Sequence, residues 1–245
     1  MDNKTKDDIQ QIISQVKEFD KKGDVEDIDP KKFVNSLLNN GEAAVPYLLD
    51  LVENIHGEIS FPLAIFALGR IKDKRAIKPL AVYLEDEDAG EIVGEALISI
   101  GKECLPEVIE RVEYRLDNPL ADVPSPDALT RSALRVIGEI RCNESSDFLN
   151  NLLDEYIDDI SENGLGNDDP EWRFTNLDFF HLLDCIVRQQ DKSAIPYIKK
   201  ARDFFPKEFT DHLICQIAIG RIKKQRVEGY LPMEALEIAM PSGSI

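Results

Sequence analysis

Apolar residues recur along the chain with the spacing of amphipathic helices. Val45, Leu48, Leu49 and Val52 fall at i, i+3, i+4 and i+7, which places their side chains on one helix face. Nearly the same spacing returns further along, at Ala133, Leu134, Ile137 and Ile140. No stretch alternates apolar and polar residues as a half-buried strand does. The pattern therefore predicts an all-α protein.

One stretch of this pattern occurs twice. Residues 68–80 read LGRIKDKRAIKPL and residues 186–198 read IVRQQDKSAIPYI. Aligned without gaps, both contain the same arginine, the same Asp-Lys pair and the same Ala-Ile pair. Such similarity between distant segments indicates an internal repeat. We expect Asp73 and Asp191 to cap the helix that follows each of them, which explains why this aspartate recurs.

Two kinds of marker divide the chain into repeats. Apolar helical runs open beside a proline, at Ala44-Val45-Pro46, Ala76-Ile77-Lys78-Pro79, Cys104-Leu105-Pro106 and Ala194-Ile195-Pro196. Proline is tolerated at a helix start because the N–H groups of the first turn lack helical partners. The second helix of each repeat carries a short apolar signature, often with glycine, centred on positions 69, 98, 138, 187 and 220.

The markers predict five antiparallel helix pairs, at about 43–73, 74–103, 104–142, 143–190 and 191–225. Two N-terminal capping helices, at about 4–21 and 30–40 within residues 1–42, precede them, and the tail 226–245 contains one short helix at 232–240. Three further helix starts are predicted where a capping residue precedes a proline, at Asp29-Pro30, Ser125-Pro126 and Asp169-Pro170. A helix pair cannot bury its apolar faces alone, so we expect the pairs to stack as an α-solenoid in a single domain, 1–245.

The LGRIKDKRAIKPL stretch resembles the HEAT-like repeat first described in phycobilisome lyases. The resemblance is good over residues 61–109 and fair over 177–224. It implies a helical repeat fold but does not select a function, because the family includes chromophore lyases, a metal hydroxylase, DNA glycosylases and many scaffolds.

The charge composition of the chain disfavours some of these functions. The chain has 29 basic and 47 acidic residues, a net charge of −18, which disfavours direct binding to nucleic acid and separates it from the glycosylases with their basic groove. The charge is uneven, because residues 143–184 contain twelve acidic residues and one basic residue, Arg173. No apolar run is long enough for a membrane span, and the N-terminus lacks the apolar region of a signal peptide, so we expect a cytoplasmic protein.

The residues needed for catalysis or metal binding are not recognisable in the sequence. The hydroxylases of the family bind di-iron through His-Glu dipeptides, whereas none of the three histidines here, His56, His181 and His212, is followed by Glu. Gly-rich phosphate loops and the GxSxG and HExxH motifs are absent from the sequence as well. Four widely separated cysteines, Cys104, Cys142, Cys185 and Cys215, are expected to be buried free thiols. We therefore expect no catalytic residue, cofactor or metal.

Two repeats are longer than the others, and the excess falls between their helices. The insertions are DNPLADVPSPD at 117–127 and SENGLGNDDPEWRFTN at 161–176, and they should project from the same edge of a solenoid. The second contains a Gly- and Asn-rich stretch, 163–167, that predicts a mobile loop. Trp172 and Arg173 should follow at the next helix start, where Trp172 either packs on its own helix or forms, with Arg173, an anchor for a partner.

The repeat register also places charged residues of opposite sign in neighbouring repeats. Three residues before the markers stand Glu95, Arg135 and Asp184, and one residue after two of them stand Glu139 and Arg188. These residues should form a ladder of ion pairs between second helices. In the alternative interpretation, the polar stripe around Arg135, Asp184 and Arg188 faces an open concave groove and binds a ligand.

These observations favour a non-catalytic protein-binding scaffold that recognises a basic segment of a partner protein. The first alternative is an acidic inhibitor, such as an immunity protein, that occludes a nucleic-acid-binding protein. The second alternative is an enzyme that resembles the chromophore lyases of the family. The candidate partner-binding residues are Trp172, Arg173, Arg135, Asp184 and Arg188.

Overall fold

The computed structural model describes residues 3–22, 29–54, 59–120, 126–164, 172–207 and 209–226. Within these ranges the chain forms α-helices and short 3-10 helices and contains no strand, which confirms the all-α prediction. The α-helices are α1 (Asn3–Lys22), α2 (Pro30–Leu38), α3 (Val45–Asn54), α4 (Ser60–Ile71), α5 (Ile77–Ala81), α6 (Gly90–Ile100), α7 (Leu105–Asp117), α8 (Ala128–Glu139), α9 (Asn143–Asn163), α10 (Phe179–Gln189), α11 (Ile195–Phe204) and α12 (Thr210–Lys224). The short helix expected at 232–240 lies outside the described residues.

Four of the five helices predicted to open a repeat share one local structure, and α9 is the exception. A single 3-10 turn precedes α3, α5, α7 and α11, at Gly41–Ala43, Lys74–Ala76, Lys102–Cys104 and Lys192–Ala194. The Asp73 carboxylate accepts a hydrogen bond from the Arg75 N–H at 2.9 Å. Asp191 accepts one from the Ser193 N–H at the same distance, 2.9 Å. The two aspartates therefore cap equivalent turns, as the repeated sequence predicted.

The predicted helix starts at prolines are confirmed in one case and corrected in another. Asp29 caps α2 by accepting hydrogen bonds from the N–H groups of Lys31 and Lys32. The start of α8 is Ala128 rather than Pro126, because the Asp127 carboxylate accepts the Thr130 N–H at 2.7 Å. Ser125 and the Asp169-Pro170 pair lie outside the described residues.

The chain divides into two compact units, residues 1–108 and 109–245. In the first unit α3 packs against α4 and α5, α2 packs against α4, and α4 packs against α6. Its core consists of side chains with no exposed surface, among them Leu48, Leu51, Ile65, Leu68, Leu80 and Leu97. First helices thus contact first helices, and second helices contact second helices.

The second unit follows the same rule. The first helices α9 and α11 pack together, and the second helices α8, α10 and α12 pack in succession. The fully buried core includes Leu134, Leu149, Leu153, Leu182, Leu183, Ile198 and Ile222. The organisation of residues 1–245 as a single domain stays a prediction.

No helix in the described part of the chain is both long enough and apolar enough to cross a membrane.

Candidate functional site

The first unit carries an apolar groove with a volume of about 490 Å³. Three helices line it, and most of its lining is apolar: Val34 and Leu38 from α2, Pro62, Leu63 and Phe66 from α4, and Ile92 from α6. Lys31, Asn35 and Arg70 complete the lining. The groove follows from the packing of the second helix α4 between α2 and α6.

Phe66 is the most unusual residue of this groove. Its side chain is 51% exposed, whereas its neighbours Ile65 and Ala67 on α4 are fully buried. The sequence of α4, SFPLAIFALGRI, is apolar almost throughout, so the core takes one face and leaves Phe66 uncovered on another. A large apolar side chain exposed within an apolar groove is typical of an interaction site.

Two of the helices that line the groove, α4 and α6, approach each other closely. A Cβ atom added at Gly69 on α4 would lie 2.8 Å from the Cα of Ala96 on α6. Only glycine permits this distance, so the backbones of α4 and α6 are in direct contact at this position. Phe66 on α4 and Ile92 on α6 are therefore presented from a rigid pair of helices.

The charged residues of the groove are both basic. Lys31 lies in the first turn of α2 and Arg70 in the last turn of α4, and both are exposed. The nine lining residues include no carboxylate. Within the described ranges neither the Lys31 ammonium nor the Arg70 guanidinium forms an ion pair. The chain as a whole has a net charge of −18, whereas the lining of the groove is positively charged.

The predicted anchor Trp172 packs against its own unit. Its indole N–H donates to the Asp159 carboxylate on α9, and its ring lies 5.9 Å from Tyr156 and 5.8 Å from Phe174. Burial in this aromatic cluster raises the pKa of Tyr156 to about 12. The tryptophan lies in a turn and not at a helix start as predicted, because α10 begins only at Phe179, after its cap Asp178. Trp172 therefore packs on α9 and on the nearby Phe174.

Arg173 is held in ion pairs within the second unit. Its guanidinium lies 3.0 Å from the Glu113 carboxylate on α7 and 3.6 Å from Glu155 on α9. Partial burial raises the pKa of Glu113, and the charge of Arg173 opposes that shift. The side chain of Arg173 keeps 41% of its surface exposed, so these ion pairs lie at the solvent boundary.

The two insertions meet at a residue that the sequence analysis did not single out. The Asn176 carboxamide accepts the Leu120 N–H at 2.6 Å and donates to the Leu120 carbonyl at 3.0 Å. Asn176 is 1% exposed. The described parts of the two insertions therefore contact each other, and their projection from one edge of a solenoid stays a prediction. In the proposed mobile loop, Gly164 ends α9 with a φ of 89°, and residues 165–167 lie outside the described part.

The charge ladder is present in part. The Arg188 guanidinium on α10 lies 2.5 Å from the Glu139 carboxylate on α8, which confirms that predicted pair. Its Nε donates to Asp184 at 2.9 Å. Asp184 thus pairs with a residue one turn along its own helix, because residues at i and i+4 face each other on a helix. The Arg135–Asp184 pair of the ladder stays a prediction. Arg135 is half-buried on α8, and the Glu95–Arg135 pair stays a prediction.

A second polar residue that sequence reasoning missed reinforces the same interface. The buried Gln189 amide on α10 donates to the Gly138 carbonyl at 2.8 Å and to the Ile137 carbonyl at 2.9 Å. These carbonyls belong to the last turn of α8, where carbonyl groups have no N–H donor within the helix. Gln189 therefore links the ends of two second helices. The partner-binding roles proposed for Trp172, Arg173, Arg135, Asp184 and Arg188 remain predictions.

The thiols and acidic residues do not form a metal site in the described ranges, where no group of three or more histidine, cysteine or carboxylate side chains could hold an ion. The four cysteines are free thiols; Cys104, Cys185 and Cys215 are buried, as expected, and Cys142 is half-buried. Burial raises the pKa of Cys104 and of Cys215 to about 12 and raises that of Cys185 as well, which keeps all three protonated at neutral pH.

Comparison with known proteins matches one segment of the chain to a known repeat family. No curated protein matches the chain. Residues 63–86 match the model of the PBS lyase HEAT-like repeat family. The match runs from α4 through the Asp73 cap to the end of the 3-10 helix at Val82–Glu85, and so includes Phe66 and Arg70. The chain therefore carries a HEAT-like repeat at residues 63–86, in agreement with the resemblance identified from its sequence.

Proposed function

We propose that the chain is a non-catalytic protein-interaction module whose HEAT-like helix pairs stack in antiparallel fashion as an α-solenoid. The binding surface is the apolar groove around Phe66. HEAT-like repeats support an interaction role in general, because stacked helix pairs present extended surfaces to other proteins. This support is an analogy with other proteins of similar fold. The argument specific to this chain comes from the groove around Phe66.

The exposure of Phe66 carries this proposal. An aromatic side chain with half of its surface in water leaves that half without a partner in its own chain, and it gains free energy when another protein covers it. Aromatic residues centred in an apolar patch are the ones that most often dominate protein interfaces. The neighbouring apolar residues Val34, Leu38, Leu63 and Ile92 provide the surface that a partner would bury with it.

A protein segment suits this groove better than a small molecule does. Small-molecule sites enclose most of the ligand between walls and orient it with several convergent polar groups. Here Phe66 is 51% exposed, and Asn35 is the one uncharged polar side chain of the lining. A partner helix, which lays one apolar face into a groove between helices, requires only such a surface.

The partner with a basic segment that we expected from the net charge is a separate part of the proposal. It rests on the charge of the whole chain, and some of the acidic groups of the second unit are paired within it: Lys200 lies 2.5 Å from Asp154 and 2.6 Å from Asp158. The exposed apolar residues of the groove around Phe66 are stronger evidence for a binding surface than the net charge of the chain is.

Partner capture with matched surface variants tests the proposal. The native chain, Phe66→Asp and Val82→Asp would each be immobilised, and retained proteins would be compared by quantitative mass spectrometry. Val82 is the control because it is 47% exposed in the same unit and does not line the groove. We expect Phe66→Asp to lose partners that Val82→Asp retains, with equal melting temperatures for the two variants. Equal retention by both variants would reject the groove as the binding site.

A further inference from the structure

We propose that the groove around Phe66 binds an amphipathic helical segment of a partner protein whose apolar face is flanked by acidic residues. This inference rests on the proposed function and adds the chemistry of the partner. It reverses the expectation from the net charge, because the residues that touch a bound segment differ in sign from the chain as a whole.

The length of the groove sets the length of the segment. Lys31 to Leu38 covers two turns of α2, and Pro62 to Arg70 covers slightly more than two turns of α4. At a rise of about 1.5 Å per residue, these stretches extend over roughly 10–12 Å. A partner helix of similar length presents apolar side chains at i, i+3, i+4 and i+7, which is two turns of one helix face.

The charges of the groove set the flanks of the segment. Lys31 and Arg70 are the charged members of the lining, both are exposed, and neither is in an ion pair within the described part of the chain. Acidic groups beside the apolar face of a partner helix would meet these two cations, whereas lysines there would be repelled by them. An arginine fork also binds a carboxylate through two parallel hydrogen bonds, which fixes the orientation of the segment.

The acidic surplus of the chain does not prevent this recognition. At physiological ionic strength the Debye length is about 8 Å, so charges distant from the groove are largely screened at the bound segment. Lys31 and Arg70 line the groove and act at contact distance. The local pair of cations therefore decides the preferred partner, and the net charge of −18 mainly affects the rate of encounter.

A peptide display library tests this directly. Every member has apolar residues at i, i+3, i+4 and i+7 of a fourteen-residue helix, and the flanking positions vary among Glu, Lys, Gln and Ser. Selection uses the full chain, followed by a second selection against Phe66→Asp to identify peptides that depend on the groove. We expect the Phe66-dependent peptides to be enriched in Glu at the flanks.

Charge variants of the full chain then test the two cations. The double variant Lys31→Glu with Arg70→Glu should weaken binding of a Glu-flanked peptide by about tenfold and improve binding of its Lys-flanked counterpart. The control is Lys32→Glu with Lys102→Glu, which changes the net charge equally at exposed residues outside the lining and should leave both affinities nearly unchanged.

The outcomes separate this inference from the proposed function. Phe66-dependent peptides with neutral or Lys-rich flanks would overturn the acidic partner and leave the groove as a protein-binding site. The absence of any Phe66-dependent peptide would overturn both. A native chain that is dimeric in light scattering, and monomeric as Phe66→Asp, would instead assign the groove to a second copy of this chain and would also overturn the inference.

Discussion

Gly138 on α8 lies directly against Cys185 on α10: a Cβ atom at position 138 would be 2.9 Å from the Cβ of Cys185. The same relationship joins Gly69 to Ala96 in the first unit, where the corresponding distance to the Ala96 Cβ is 3.0 Å. Each glycine marks a repeat in the sequence, and each contacts the residue two positions before the next marker. Second helices of neighbouring repeats therefore pack backbone to backbone through equivalent positions.

Gly138→Ala should destabilise the protein by about 1–2 kcal/mol. A methyl group there overlaps Cys185, and the cost of overpacking exceeds the roughly 0.5–1 kcal/mol that alanine gains over glycine within a helix. Chemical denaturation of the two proteins measures the difference in the free energy of unfolding.

Gly220 supplies the matched control for this change. It is the equivalent marker of α12, and no described atom lies within 4 Å of a Cβ built there. Gly220→Ala should therefore be neutral or stabilising by about 0.5–1 kcal/mol. If Gly138→Ala and Gly220→Ala change the free energy of unfolding by the same amount, the claim that α8 and α10 are in close contact at Gly138 is wrong.

Arg188 should matter more to stability than its partner Glu139. The Asp184 side chain is only 7% exposed, so loss of Arg188 leaves a nearly buried carboxylate without its counter-charge. We expect Arg188→Ala to lower the free energy of unfolding by about 1–3 kcal/mol. Glu139 is 35% exposed, and Glu139→Ala should cost less than about 1 kcal/mol. Equal losses in urea titrations of the two variants would contradict this ranking.

Asn176 should hold the two insertions of the second unit together. Asn176→Asp keeps the size of the side chain but replaces the N–H donor to the Leu120 carbonyl by a carboxylate oxygen. We expect a loss of about 1–3 kcal/mol and faster hydrogen exchange at the Leu120 amide. Asn151→Asp is a suitable control, since Asn151 is exposed on α9 of the same unit. Unchanged exchange at Leu120 in Asn176→Asp would show that the insertions do not depend on this contact.

His181 should make stability depend on pH. Burial lowers its pKa below the ordinary value of 6.5, against the opposing effects of the Arg131 carbonyl, Asp178 and Asp184, while Arg188 adds to the lowering. As the pH falls below 6.5, the unfolded chain takes up this proton first, so the contribution of His181 to stability declines until the pH passes its lowered pKa. In His181→Gln this part of the pH dependence should vanish. A midpoint above 6.5 for His181 in an NMR titration would contradict the assignment.

The repeats were predictable from the sequence because they depend on local signals. Asp73 and Asp191 cap equivalent turns because a carboxylate two residues before a free N–H satisfies it in any repeat. The apolar spacing likewise located the ten helices α3 to α12. The start of α8 was misplaced because Asp127, which follows Pro126, provides the capping carboxylate that Ser125 was expected to provide.

The contacts between distant segments were not predictable in the same way. Periodicity shows which residues are apolar, but not which of them a neighbouring helix will cover, so Phe66 could not be recognised as exposed from its place in an apolar run. Asn176 and Leu120 meet only because the fold brings two distant segments together, and Asn176 carries no local signal of that role. Gln189 acts on carbonyl groups of another helix for the same reason.

Site-specific photocrosslinking at position 66 tests the central claim most directly. A benzophenone amino acid would replace Phe66 in one variant and Val82 in another, and both would be irradiated in lysate and in the presence of any purified partner. The groove model predicts a covalent adduct with the same partner that Phe66→Asp fails to capture, formed from position 66 and not from position 82. Adducts of equal yield from both positions, or from position 82 alone, would contradict the assignment of this groove as the binding surface.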